Sequence, residues 1–282
     1  MKILITGAEG MLGRTLMRRL SDHDCRGTDI ADCDLTQGGE VEALIDEAKP
    51  DVVIHCAAMT AVDDCETKQE LAFAVNVKAT GHLAVACHRH GARLVAISTD
   101  YVFDGDQERP YHEGDPTGPR TVYGQTKLAG EELIRAHCPN HVIARIAWLY
   151  GAGGPSFLHT MLRLGSQEGD PLKVVDDQIG NPTSTDAVAG GIERLLSAQI
   201  AGVVHLTCEG EATWFEFTRE IFRLAGLTRG LVPCTTDEYP RPAPRPANSR
   251  LENRSLQLHG LPSMPTWQAA LETFLREHPD GQ

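Results

Sequence analysis

The chain has 282 residues, 41% of them apolar, and a formal net charge of -13 at pH 7. That is enough apolar material for one large or two modest domains, and the acidic balance argues against nucleic acid as a partner, because phosphate contacts need a basic face. No run reaches the roughly 18 apolar residues of a membrane span, and Met1-Lys2 leads directly into a strand with no signal peptide, so a soluble, cytoplasmic protein without a membrane partner is expected.

In chain order, Lys2-Ile-Leu-Ile-Thr6 reads as a short buried strand, followed at once by Gly7-Ala-Glu-Gly10-Met11-Leu12-Gly13 and the helical pattern Leu16, Met17, Leu20. In this strand-turn-helix setting, Gly7 would make the tight turn and Gly10 would admit a pyrophosphate at the helix N-terminus. Gly13 would let helix and strand pack closely. A second strand should end near Asp29, placed to bind an adenosine ribose hydroxyl; Asp34 and Leu35 follow on the adenine side. The carboxylate leans toward NADH, whereas Arg14 and Arg26 would suit the 2'-phosphate of NADPH, so either cofactor stays open.

A crossover helix is expected over 41–48 and a strand over 51–55. The small residues Cys56, Ala57, Ala58 and Thr60 then leave room for a cofactor across the sheet. Residues 61–66 read as a loop, and Asn76, in an otherwise apolar helix, is a candidate to bridge water toward a lysine. The apolar run 94–97 reads as a parallel strand, so Ser98, Thr99 and Asp100 emerge at its carboxyl end, where open α/β sheets place their ligands. Tyr123 and Lys127 stand four apart on one helix face. A phenol beside an ammonium suits proton transfer to a ketone oxygen: the cation should favour the phenolate and lower a pKa that is ordinarily near 10, while Thr99 or Ser98 holds the same oxygen.

Trp148 ends the next apolar strand, where it would form a wall against substrate. Residues 157–164 and 185–196 have helical periodicity, 172–175 and 202–206 read as strands, and Thr213 opens a helix with a capping-box pattern. The proline-rich stretch 239–250 carries Arg241, Arg245 and Arg250 and reads as a stiff arm offering guanidinium groups to a diphosphate, Arg250 foremost. The eight cysteines show no metal-type or disulfide spacing. The elements make an α/β fold with a doubly wound parallel sheet: residues 1–150 bind dinucleotide, 183–208 rejoin that domain, and 151–182 with 209–282 form a smaller C-terminal substrate-binding domain.

With the glycine loop, Ser98-Thr-Asp-Tyr-Val-Phe-Asp-Gly105 and Val122-Tyr-Gly-Gln-Thr-Lys127 assembled, the chain resembles the extended short-chain dehydrogenase/reductase family, whose dinucleotide domain is of the Rossmann type. Thr60-Ala-Val-Asp63, Asp177-Gln-Ile-Gly-Asn-Pro-Thr183 and Arg245-Pro-Ala-Asn-Ser-Arg-Leu251 make it similar, within that family, to the dTDP-4-dehydrorhamnose reductases. The resemblance implies reduction of the C4 ketone of dTDP-4-dehydro-6-deoxy-L-mannose by NADPH or NADH. Tyr123 would be the proton donor, Thr99 and Lys127 its partners, and Lys127 would also reach the nicotinamide ribose. It implies substrate contacts from Thr99, Asp100, Tyr101, Tyr123, Trp148, Gln178 and Arg250, and cofactor contacts that include Ser98 and Asn76. Some relatives hold magnesium through acidic residues of the first helix; this helix has none before Asp22, so no metal is expected. A homodimer is the default assembly. A nucleotide-sugar 4-epimerase and an NADP-binding regulatory subunit like that of methionine adenosyltransferase stay open as alternatives. A dehydratase is disfavoured because Tyr101, not a second acid, follows Asp100.

Overall fold

The computed structural model describes residues 1–198 and 200–278. Six strands, β1 (Lys2–Thr6), β2 (Asp24–Thr28), β3 (Val52–His55), β4 (Arg93–Thr99), β5 (His141–Ile146) and β6 (Gly202–His205), form one parallel sheet in the order β6-β5-β4-β3-β1-β2. The direction of winding reverses between β1 and β3, and ligands of such sheets bind at the carboxyl ends of the strands flanking that point.

The sheet is apolar on both faces because helices cover both. Side chains alternate across it: Ile3, Ile5, Val52, Ile54 and Val142 enter one core with Leu16 and Val188, while Leu4, Val53, Leu94 and Ile143 enter another with Ile45 and Leu83. The strand 202–205 lies beside β5 and so adds to the dinucleotide-side sheet. Beyond the sheet, the helices Phe157–Gly165 and Trp214–Ala225 pack on each other beside the paired strands Leu172–Val175 and Leu231–Cys234, while the helix Thr185–Ser197 packs on the first helix. The helix at Trp214 starts on the expected capping box, with Thr213 and Glu216 bonded reciprocally.

Two local features differ from the sequence reading. Residues 61–66, read as a loop, are mostly a short helix, Val62–Thr67; Asp63 and Asp64 in its first turn favour the N-terminus, and Lys68 pairs with Asp64 at 2.7 Å. The helix bearing Asn76 contains a wider π-helical turn, Ala74–Lys78, a distortion common near functional sites. Among the described residues no helix is long and apolar enough to cross a membrane.

Candidate active site

The glycine loop comes first. Gly7 has φ +68°, which glycine adopts without strain, and a methyl group there would fall 2.6 Å from the backbone nitrogen of Ala57. A methyl on Gly13 would strike the Gly7 carbonyl, so the first helix, Met11–Arg19, can seat on the turn only with glycine at that position. Gly10 precedes this helix with no side-chain cap, and the first turn holds no acid. The free N–H groups at Met11, Leu12 and Gly13 are therefore available to an anion; the Leu12 side chain itself is core.

Beside the loop a cavity of about 460 Å³ is lined by Gly7, Gly10, Asp29, Asp34, Leu35 and the Cys56–Ala58 backbone turn. Asp29 accepts the N–H of Glu9 at 3.0 Å and of Ile30 at 2.9 Å, which fixes its carboxylate at the cavity edge. Asp34 takes the Thr36 N–H and hydroxyl, and these bonds hold it below the usual carboxylate range. Burial pushes the Cys56 thiol up to about 12, leaving it small and neutral. Glu9, Thr28 and Ile30 also line this space. Glu9 occupies a variable position of the glycine motif and Thr28 and Ile30 flank Asp29, so none carries a residue type that marks it in the sequence.

At the carboxyl end of β4, the Thr99 hydroxyl donates to Asp100 at 2.9 Å and accepts the Tyr101 N–H at 3.2 Å. Tyr123 and Lys127 lie on the helix Val122–His137, which Thr121 caps by accepting the Gly124 N–H. A side chain on Gly124 would collide with the Tyr101 carbonyl, so glycine lets this helix press against the strand end. The Tyr123 ring stands edge-on to Tyr101, centroids 5.5 Å apart.

Lys127 donates to the Ile97 carbonyl at 2.8 Å, leaving two of its three N–H groups for other acceptors. Burial lowers its pKa to about 8, opposed by Glu131 and Cys56. The expected lowering of the tyrosine pKa is not found. Burial pushes Tyr123 well above its ordinary value; the Thr99 hydroxyl pulls the other way, and Lys127, turned to Ile97, gives the phenolate no comparable support. The phenol is thus held protonated. Asp100 is buried, its Oδ2 meets no hydrogen-bonding partner among the described residues, and burial raises its pKa to about 6 against the opposing pull of the Ser249 and Thr99 hydroxyls.

Three sequence candidates have other work. The Ser98 hydroxyl donates to Glu131 at 2.6 Å, and Glu131 is gripped by Arg145 at 2.9 and 2.7 Å, so Ser98 belongs to a buried charge network rather than to the oxygen-binding group. Asn76 accepts the Met59 N–H at 2.8 Å and donates to the Met59 carbonyl and the Thr126 hydroxyl. It clamps the chain beyond Ala58, with both amide hydrogens spent on these partners. Arg250 spends its guanidinium on Asn248, Glu211 and the Glu108 carbonyl and does not line the substrate-side cavity. Thr60 is exposed at the outer end of its segment.

A second cavity, of about 610 Å³, opens beside Tyr101 and is walled by Trp148, Trp214, Phe157, Gln178 and Arg245. Trp148 holds φ +47°, a left-handed conformation that costs energy in a bulky residue. Gln178 is fixed from both ends, accepting from the Trp214 indole at 3.1 Å and donating to Thr236 at 3.0 Å. Trp214 carries no mark in the sequence beyond following the Thr213 capping box, and its place in the first helical turn puts it in the cavity wall.

A dinucleotide cleft, a Thr-Tyr-Lys set at a strand end and a separate polar-aromatic cavity define a nicotinamide-dependent oxidoreductase of the extended short-chain dehydrogenase/reductase type. A family model described as the RmlD substrate binding domain matches residues 1–279, and the chain belongs to that family, the dTDP-4-dehydrorhamnose reductases. It is 45% identical to the dTDP-4-dehydrorhamnose reductase of Streptomyces griseus, over 96% of this chain and 92% of that one. Its fold is similar to the crystal structure of a dTDP-4-dehydrorhamnose reductase from Clostridium acetobutylicum, with TM-score 0.97 and 43% identity over 99% and 100% of the two chains. The enzyme of that name from Bacillus anthracis, solved in complex with NADP, gives TM-score 0.95 and 37% identity over 98% of each chain.

Proposed function

We propose that this protein reduces the C4 ketone of dTDP-4-dehydro-6-deoxy-L-mannose (dTDP-4-dehydrorhamnose) to give dTDP-L-rhamnose, using NADPH or NADH. The observation that carries the reading is the position of Tyr123, buried beside Thr99 and edge-on to Tyr101, which itself lines the cavity walled by tryptophan and arginine.

The residues of the first cavity fit a nicotinamide dinucleotide. The uncapped helix at Met11 suits its pyrophosphate, Asp29 suits the ribose hydroxyls, and the Gly7 turn leaves no side chain in the way. Bound there, the cofactor supplies the hydride. Lys127 would hold the nicotinamide ribose with its two unspent N–H groups, and the Thr99 hydroxyl, turned from Asp100, would donate to the substrate's O4. Tyr123, kept protonated by burial, gives its proton to O4 as the carbonyl carbon is reduced, so that one hydride and one proton make the alcohol. Asp100, with an unpartnered oxygen, accepts a sugar hydroxyl, and Trp148 packs against the ring.

The absence of a second acid after Asp100 disfavours dehydration, which needs proton transfers at adjacent carbons, and the complete Thr99, Tyr123 and Lys127 set disfavours a purely regulatory subunit. The test is absorbance loss at 340 nm on mixing the protein with dTDP-4-dehydrorhamnose and NADPH or NADH. The native protein turns over, and Tyr123→Phe loses about 10²- to 10⁴-fold in kcat. No turnover by the native protein rejects the substrate; unchanged turnover by the variant rejects the proton donor.

A further inference from the structure

Among the cations of the arm 239–250, Arg245 alone is anchored in the wall of the substrate-side cavity with donors to spare. Its two terminal nitrogens donate to the Asp63 carboxylate at 2.9 Å and to the Ala243 carbonyl at 3.0 Å. A guanidinium carries five N–H groups, so three have no partner among the described residues. Arg250 has a bond from each of its three nitrogens and does not line this cavity, Arg241 lies over the exposed Tyr239 ring, and Lys173 is paired with Glu238 at the surface.

Asp63 does not belong to the arm. It lies in the helix Val62–Thr67 of the dinucleotide-binding lobe, a few residues past the Cys56–Ala58 turn that lines the cofactor cavity, on chain that Asn76 pins at Met59. Its second oxygen accepts the Ala243 N–H at 3.1 Å, so one carboxylate holds both the arm's backbone and its cation. Burial alone would raise the pKa of Asp63; the bonds to Arg245 and Ala243 outweigh it and keep the carboxyl below its ordinary value.

Resting on the substrate assigned above, we infer that Arg245 grips the diphosphate of the nucleotide sugar, and that Asp63, from the cofactor-binding lobe, is the positioning residue that aims it. A guanidinium tied at two points has lost its rotational freedom before the anion arrives, and its remaining donors present the planar fork that suits phosphate oxygens. The two lobes are thereby joined at the residue that holds the substrate's charge.

The test is calorimetric binding of dTDP and, separately, of NADH to the native protein, Asp63→Asn, Arg245→Ala and the double variant, with kcat and KM for the ketosugar. Both residues are partly exposed, and an unchanged NADH affinity shows that each variant is folded. Arg245→Ala is expected to weaken dTDP about 10- to 100-fold and Asp63→Asn about 3- to 10-fold. In Asp63→Asn, KM rises by the same factor as the dTDP dissociation constant while kcat stays within about twofold, and the double variant binds dTDP no more weakly than Arg245→Ala. Full dTDP affinity in Asp63→Asn, with loss in Arg245→Ala, overturns the positioning role; full affinity in Arg245→Ala overturns the diphosphate grip. A native protein that fails to bind dTDP at all overturns the substrate reading along with both.

Discussion

The indole rings of Trp148 and Trp214 lie face to face, 3.4 Å between centroids and 4° from parallel, joining the carboxyl end of β5 to the first helical turn of the other lobe. Gly180 completes the arrangement, because a methyl group there would collide with the Trp148 ring. The strained backbone of Trp148 is held by this stack and by the missing side chain at Gly180, and Gln178 fixes Trp214 in turn. Gly180→Ala is therefore expected to displace Trp148 and raise KM for the ketosugar by about 10-fold or more, on the scale of a lost aromatic contact and misplaced substrate. Steady-state kinetics, with NADH affinity as the control that stays constant, checks this.

Reduction needs a protonated Tyr123, and burial holds that phenol protonated across the working range. On the alkaline side of neutrality the group of this set that titrates is Lys127, lowered to about 8 by burial. As pH rises through that value the ammonium is lost, so kcat/KM for reduction is expected to fall above about pH 8, this ratio reporting ionisations of the free enzyme. A pH profile checks the prediction: the limb near 8 is present in the native protein and absent from the residual activity of Lys127→Met.

Asp100 has its folded pKa raised to about 6 against an ordinary 3.8. Between those values the folded state binds more protons than the unfolded one, so stability falls as pH rises through that window. Asp100→Asn cannot titrate and is expected to be more stable than the native protein at pH 7. The gain is at most about 3 kcal/mol, at about 1.4 kcal/mol per pKa unit, and the gap closes as pH drops below 4. Urea denaturation at pH 4 and pH 7 measures it, and KM for the ketosugar should rise in the same variant.

Asp29 and Glu9 line the cofactor cavity, whereas Arg26 pairs with Glu47 and the Arg14 guanidinium is bonded to the Glu9 carbonyl. A 2'-phosphate placed there meets a fixed carboxylate, so Asp29→Ala is expected to shift the ratio of NADPH to NADH affinity toward NADPH by about 10-fold, on the scale of one close like-charge contact near the surface. Fluorescence titration with both cofactors reads the ratio directly.

The sheet strands, the Gly7 to Gly13 turn and the Thr99, Tyr123 and Lys127 set were legible in the sequence because each depends on short-range order. Alternating or continuous apolar runs give strands, glycines at fixed spacing give a backbone turn, and a four-residue interval puts two side chains on one helix face. The Thr213 capping box was readable for the same reason. What the sequence could not determine is which partner each polar group takes, because that depends on residues far apart along the chain. Ser98 is bonded to Glu131, Asn76 to Met59 and Arg250 to Glu211, whereas Arg245 finds Asp63 across 182 positions. The pKa of Tyr123 was decided in the same way: sequence spacing supplied the neighbouring ammonium, but burial and the direction in which Lys127 points govern ionisation, and both arise only when helix Val122–His137 packs on the end of β4.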